Sequence, residues 1–465
     1  MSAGIDEAAL ALLPEHKREL ARLLLAARAP ARDAVPAQPV PRREDAPVPA
    51  TPTQARLWRY AQAGDAAAGT GSHAVRLRGP LDPGALTGAL TAVIGRHEAL
   101  RTGLGEGPDG LRQHVAAEPH LRLRVLDLSG TPHQDQAAQV TRQVHASAGR
   151  PLDIASGEGT RFTLIKLRED EHVLILAAHL AVFDGWSSGV FLHDLAAAYR
   201  GETRAAPALQ LGDYAVWQRG WLDGPHGAAE LGHWRTALAG VPAAPAHDGF
   251  TRGHLPVGLD PEVTDAGIAV GASHGATPFM TLLGALALVL ARSRGNPDVV
   301  IGTPTAGRVF PGMEDMVGQF TTVVPIRVDC SGRPTFAGLL RRVRTAVADA
   351  LAHGRLPVDT LARELRGTPY SVLFALHNYP VVPLDLPGIE VGQVTGPPAR
   401  HLELYSPDPR TAEACIGLVE RKGRIGGTAE HNRNAMTADQ VRALVDGVGE
   451  ILALAAAEPT TTYPC

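Results

Sequence analysis

The side chains able to do chemistry are most concentrated in nine consecutive residues, His179-Leu180-Ala181-Val182-Phe183-Asp184-Gly185-Trp186-Ser187. An imidazole can take or give a proton near neutral pH, and a nearby carboxylate can orient it. His179 could therefore be an acid/base with Asp184 as its partner. Equally, the two read as a buried structural histidine and a carboxylate paired elsewhere, and residue types alone leave both open. Leu180 has no donor, no acceptor and no titratable proton.

The elements around this segment place it. Val173 to Ala178 is an unbroken apolar run, which reads as a strand covered on both faces. Ser187 and Ser188 can cap a following helix, which Gly201 closes after Tyr199 and Arg200. A strand-to-helix turn delivers side chains to a cavity, and the N–H groups of a helix start favour negative charge. One of them, on Gly185, is a candidate donor to an oxyanion.

The same grammar runs through the chain. Asp82-Pro83 opens a helix toward His97, and Thr277-Pro278 opens another with a stripe of Leu282, Ala285, Leu286 and Val289 that ends at Gly295. Strands are expected over Val299–Ile301 and Val323–Val328, and a long helix over Thr335–His353. The reading is α/β in two halves. Residues 1–28 are a helical segment, either a docking element or a helix packed on the body. Residues 29–50 form a Pro/Ala-rich linker, 51–225 a first lobe and 226–465 a second. The boundary itself falls between Arg219 and Gly253.

A chain of 465 residues is long enough for two or three folded units. Its net charge of −4, with Lys and Arg scattered, counts against a surface built for nucleic-acid phosphates. The three cysteines, Cys330, Cys415 and Cys465, are too far apart for a zinc framework, so no metal is expected. No basic stretch leads into an apolar one at the N-terminus, and no apolar run reaches the roughly 20 residues of a membrane span. A cytoplasmic monomer without membrane contact is the expectation.

Several segments, in order, resemble the motifs of nonribosomal peptide synthetase condensation domains, relatives of chloramphenicol acetyltransferase. Residues 179–185 are similar to the family's His-His-x-x-x-Asp-Gly signature, with Leu180 in place of the second histidine. Thr53-Gln54-Ala55-Arg56-Leu57-Trp58 resembles the opening motif, and Arg96-His97-Glu98-Ala99-Leu100-Arg101-Thr102 the second. Asp213-Tyr214-Ala215-Val216-Trp217-Gln218 and His233-Trp234-Arg235 follow, then Ile301 to Arg308 with Val317-Gly318-Gln319-Phe320. His353-Gly354-Arg355-Leu356-Pro357 and Tyr370 to Tyr379 resemble the last two. Each motif is weak alone, and their shared order over about residues 50–450 carries the resemblance.

The resemblance implies two acetyltransferase-like lobes in a V around a central tunnel. Donor and acceptor peptidyl carrier proteins would bring phosphopantetheine-tethered groups to it, beside other synthetase modules, with no cofactor bound directly. The product would be an amide, or an ester from a hydroxyl. It further implies that His179 is mainly structural, that Asp184 pairs with Arg308, and that Leu180, Trp186, Ser187 and His377 lie toward the tunnel. Leu180 cannot act as the family's catalytic histidine does, so His377, Ser187 and His353 are weighed as replacements. An amide-forming enzyme that works by positioning and a catalytically silent module that docks carriers or tailoring enzymes are the two resulting expectations.

Overall fold

The structure is a computed structural model that describes residues 38–43, 46–63, 69–377, 384–394, 401–421 and 423–464. The helix expected over residues 8–28 lies outside them, as does Cys465.

Its elements run β1 (Val48–Pro49), α1 (Pro52–Gln62), β2 (Thr70–Arg78), α2 (Pro83–Arg96), β3 (Thr102–Gly107), β4 (Gly110–Val115), β5 (Leu123–Asp127), α3 (His133–Gly149), β6 (Thr160–Arg168), β7 (Glu171–His179) and α4 (Gly185–Tyr199). Helices α5 (Leu211–Asp223) and α6 (Pro225–Ala237) lead on to β8 (Arg252–Gly258), α7 (Pro261–Ser273), α8 (Pro278–Arg294), β9 (Asp298–Thr305), β10 (Thr322–Asp329) and α9 (Phe336–Ala352). The remainder is α10 (Val358–Glu364), β11 (Val372–His377), β12 (Glu390–Gln393), α11 (His401–Tyr405), β13 (Ala414–Arg421), β14 (Arg424–Asn432) and α12 (Ala438–Ala457).

Two mixed sheets organise two lobes, one in the order β12-β2-β7-β6-β5 and the other β10-β9-β11-β13-β14-β8. In the first, every residue of β7 is buried, as its apolar run requires. Val173 and Ile175 pack with Val140 and Val144 of α3. Leu174 and Leu176 point the other way, toward Leu86 and Leu90 of α2 and Phe191 and Leu195 of α4. Asp82 caps α2 by accepting from the Gly84 and Ala85 N–H groups. Thr277 caps α8, which Gly295 closes in the left-handed region at φ 60°. The apolar stripe expected on α8 is part of a wider buried stretch, with every residue from Met280 to Leu288 buried. That stretch is enclosed by α7, α9, α12 and the sheet, while Arg292 to Arg294 at the helix end are exposed.

Two more local readings are corrected. Ser187 and Ser188 do not cap α4; Asp184 does, with an extended backbone (φ −118°, ψ −179°) and a carboxylate that accepts the Ser187 N–H. The end of the expected linker is also ordered. Val48 and Pro49 pair with Gln113 and Arg112 of β4, at a position where proline's missing N–H is tolerated. Arg42 donates to Asp213 and Glu98 at 2.9 and 2.8 Å, tying this stretch to α5.

Two later segments belong to the first lobe. Strand β12 pairs with β2, Glu390 opposite Arg78. The loop between β9 and β10 buries Phe310, Met313, Met316, Val317 and Phe320 in the first lobe's core. A cut between residues 225 and 226 would leave both on the other side. Among the described residues, no single helix is long and apolar enough to cross a membrane.

Candidate functional site

The nine-residue segment lies where β7 meets α4, and backbone bonds fix its turn. The N–H groups of His179 and Leu180 donate to Gly159 O and Gly69 O at 2.8 and 2.7 Å. Gln54 of α1, itself held in a capping box with Thr51, donates Nε2 to Ala181 O at 3.0 Å. The opening motif thus braces the signature turn, a contact its sequence gives no hint of.

His179 is fully buried, and its Nδ1 accepts the Ala181 N–H at 3.1 Å. That bond occupies the ring's one lone pair in the neutral form, so the proton sits on Nε2, which has no hydrogen-bond partner. Burial brings its pKa down to about 4. His179 braces the turn through that bond, and burial disfavours the charged form an acid/base would pass through. Stability from holding it neutral is full above the unfolded value near 6.5 and is lost as pH falls toward about 4. The loss amounts to about 3 kcal/mol. Urea unfolding across that pH range measures it, and a His179→Gln variant should show a flatter profile there.

Leu180 is half-buried against the first lobe's core, its Cδ2 3.5 Å from where a β-carbon on Gly71 would stand. No proton can be exchanged at this point of the turn.

Asp184 anchors a latch between the lobes. Arg308 Nη1 and Nη2 donate to its Oδ2 and Oδ1 at 2.8 and 3.1 Å, with side-chain exposures of 4% for Arg308 and 0% for Asp184. Oδ1 also accepts from Ser187 N and Oγ at 2.9 and 2.7 Å, and Oδ2 from Phe320 N and Thr321 Oγ1 at 3.2 and 3.3 Å. Burial alone would push this carboxyl up, but the Arg308 guanidinium and the Ser187 donors hold it below the usual carboxylate range.

The neighbours of Asp184 serve the same latch. Ser187 Oγ, whose one proton goes to Asp184, accepts from Gly318 N at 3.0 Å and lies 3.0 Å from Gly318 O. Trp186 donates its indole N–H to Glu314 O at 2.9 Å, with the Arg308 guanidinium carbon 5.6 Å from its ring centre. Both side chains engage the crossing loop. Gly185 opens α4 at an exposed position, where water would weaken its N–H as an oxyanion donor. Within the loop, Gly307 has φ 64°, and a β-carbon there would stand 1.9 Å from Phe320 O. Gly307→Ala should displace the loop and lower the unfolding midpoint, and limited proteolysis should show faster cleavage between residues 306 and 321.

A solvent-open cleft of about 420 Å3 borders the latch, lined by Tyr214, Trp217, Gln218, Phe320, Arg355 and Pro357 among others. Beyond it, Arg56 of α1 bonds Asp359, Glu403 O and Leu404 O, each at 2.6 Å, a second tie between the lobes. His97 and Arg96 both bond Asp194 at 2.7 Å and fasten α2 to α4.

The other histidines weighed as bases lie in different surroundings. His377 ends β11, its ring centre 5.5 Å from that of His401, which stacks on Tyr405. Burial lowers both pKa values, that of His401 to about 3. His353 caps α9, paired with Glu230 at 3.2 Å. Cys330 and Cys415 are fully buried, and burial pushes the Cys415 thiol well above its ordinary value.

The geometry can be set beside known proteins. The condensation-domain family model matches residues 45–388. The chain is 35% identical to malpinin synthetase of Mortierella alpina over 421 residues, 85% of this chain and 5% of that protein. Against phosphinothricin tripeptide synthetase PhsC of Streptomyces viridochromogenes it is 34% identical over 464 residues, 96% of this chain and 42% of the relative. It thus spans less than half the length of either. Among solved structures, the X-domain in its complex with OxyB from teicoplanin biosynthesis superposes with a TM-score of 0.79 at 26% identity. That match covers 92% of this chain and 98% of the other. The α/β fold in two lobes is the chloramphenicol acetyltransferase-like one.

Proposed function

This chain belongs to the condensation-domain family, and from that premise we propose that it works in nonribosomal peptide synthesis. It joins an acyl or peptidyl thioester on a donor carrier protein to an amine, or a hydroxyl, on an acceptor carrier. The acceptor nitrogen attacks the thioester carbon, the C–S bond breaks, and the departing thiolate takes up the proton the amine loses. Both groups arrive on phosphopantetheine arms, so the chain itself supplies no cofactor. Neighbouring synthetase modules and a cytoplasmic setting belong to the same reading.

One observation carries it: the turn holding Leu180 is braced by backbone and Gln54 bonds, and the Asp184–Arg308 latch four residues further on is formed. With no titratable group at position 180, the reaction runs on positioning. Holding two reactants in line can be worth effective molarities of about 10⁵–10⁸ M.

A second reading rests on the same leucine together with the likeness to the X-domain in complex with OxyB. On it the chain makes no bond and docks a carrier protein or a tailoring enzyme. Single-turnover intact-protein mass spectrometry separates the two. A donor carrier loaded with a panel of acyl groups and an aminoacyl acceptor carrier are mixed with the chain. Chain-dependent movement of the acyl mass to the acceptor is the expected result. No transfer from the native chain or from Leu180→His, with carrier binding retained, would leave the docking reading in its place.

A further inference from the structure

We infer that the second lobe holds a divalent-metal site of the zinc class between α6 and α9, made by His233, Asp349 and His353 with Glu230 behind them. Two short helical spacings build it. Glu230 and His233 stand three residues apart on α6, so they share a face, and Asp349 and His353 stand four apart at the end of α9.

The helices bring the donors together. One donor atom each from His233, Asp349 and His353 lies within 4.8 Å of the others. His233 Nε2 is 3.2 Å from Asp349 Oδ2, and the two imidazoles stack with centres 3.5 Å apart and planes 10° from parallel. Tetrahedral zinc with bonds of about 2.0–2.1 Å sets its ligand atoms a little over 3 Å apart. An ion shared by both rings needs them to turn out of their stack, because it cannot lie in two parallel ring planes at once.

Two polar atoms in this cluster are shielded and make no hydrogen bond. His233 Nε2 is shielded from water and, despite its closeness to Asp349, makes no hydrogen bond. Glu230 Oε1 is likewise shielded and without a hydrogen bond. Two stacked imidazoles repel if both are cationic, whereas one metal ion serves both as neutral ligands. Glu230 Oε2 contacts His353 Nδ1 at 3.2 Å, which leaves Nε2 for the metal in a carboxylate–histidine–metal relay. The scaffold is fixed by the buried Trp234, whose indole N–H donates to His353 O at 3.0 Å.

The donor set decides the class of ion. Two imidazoles and carboxylate oxygen suit zinc and its neighbours rather than magnesium or calcium, which favour all-oxygen shells. With the Asp349 side chain 48% exposed, the open edge leaves room for water as a further ligand. An ion here clamps α6, which follows the first lobe, to the longest helix packed on β10, and binding to the folded state alone raises stability by mass action.

The test uses the full chain without a polyhistidine tag, stripped with EDTA. Equilibrium dialysis against zinc should show one tight equivalent. The pair His233→Gln and Asp349→Asn should each weaken it by at least about tenfold, and together abolish it. Replacing the other histidine pair, His377→Gln with His401→Gln, should leave it in place. Cobalt in the native chain should give the visible bands of a tetrahedral nitrogen–oxygen site, and zinc-edge absorption should show two imidazoles. These spectra need no variant to fold. Zinc affinity unchanged in the double variant, or a native cobalt spectrum without tetrahedral bands, would overturn the site.

Discussion

Leu180→His should accelerate single-turnover amide formation by about 10²–10⁴-fold, the usual worth of a positioned acid/base. The expectation rests on a frame that does not depend on the leucine side chain. The backbone of residue 180 donates to Gly69 O, that of Ala181 is held by Gln54 and His179, and Val182 N donates to His179 O at 3.0 Å. Leu180 is half-buried beside Gly71. The new ring would enter a finished turn. Leu180→Asn, with similar polarity and no basic nitrogen, should remain as slow as the native chain. Equal rates for the native chain and a folded Leu180→His variant would show that proton transfer at this position does not limit the reaction.

Arg308→Ala should cost about 3–5 kcal/mol, the range for removing one partner of a buried ion pair. The loss would leave Asp184 buried with a charge and only neutral donors, Ser187, Phe320 N and Thr321. It would also remove the guanidinium from above the Phe320 ring, now 4.7 Å from its centre, and its bond to Met316 O. Lysine should recover little, because an ammonium cannot reproduce the two-pronged bond or the stacking. Asp184→Asn in the Arg308→Ala background should restore part of the loss by removing the stranded charge. Urea unfolding of the four proteins gives the coupling as a double-mutant cycle. Additive costs would mean that the pair contributes nothing beyond its separate contacts. The contribution from Asp184 has a defined acid limit. Its folded pKa is lowered, so the contribution is present above the ordinary carboxylate value and is lost as pH falls through the lower one.

The two effects sit a few residues apart and differ in kind. Position 180 bears on rate within a turn that folds without its side chain. Position 184 bears on whether the lobes stay joined. An activity loss at Asp184 or Arg308 would therefore report a displaced crossing loop before it reported any missing chemistry.

Much of the local structure was legible. The apolar run of β7, the caps at Asp82 and Thr277 and the left-handed stop at Gly295 each follow from a few neighbouring residues. So does the inability of Leu180 to move a proton, since that is a property of the side chain alone. What failed locally failed for a tertiary reason. Two serines looked like caps because serine caps helices, but a carboxylate held by Arg308 from 124 residues away took the position. The stripe on α8 was read as narrower than it is, because three helices and a sheet close over all of Met280 to Leu288.

By itself, then, the sequence determined the succession of strands and helices, the strand–turn–helix that presents residues 179–187, and the chemistry position 180 lacks. Backbone periodicity and capping act over a few residues, and that range is short enough to read. Only the tertiary structure decided that Trp186 and Ser187 engage a loop from the other lobe, and that Glu230 and His233 meet Asp349 and His353. Those outcomes depend on which elements the chain's topology packs together, and no short-range pattern records the distance between residues more than a hundred positions apart.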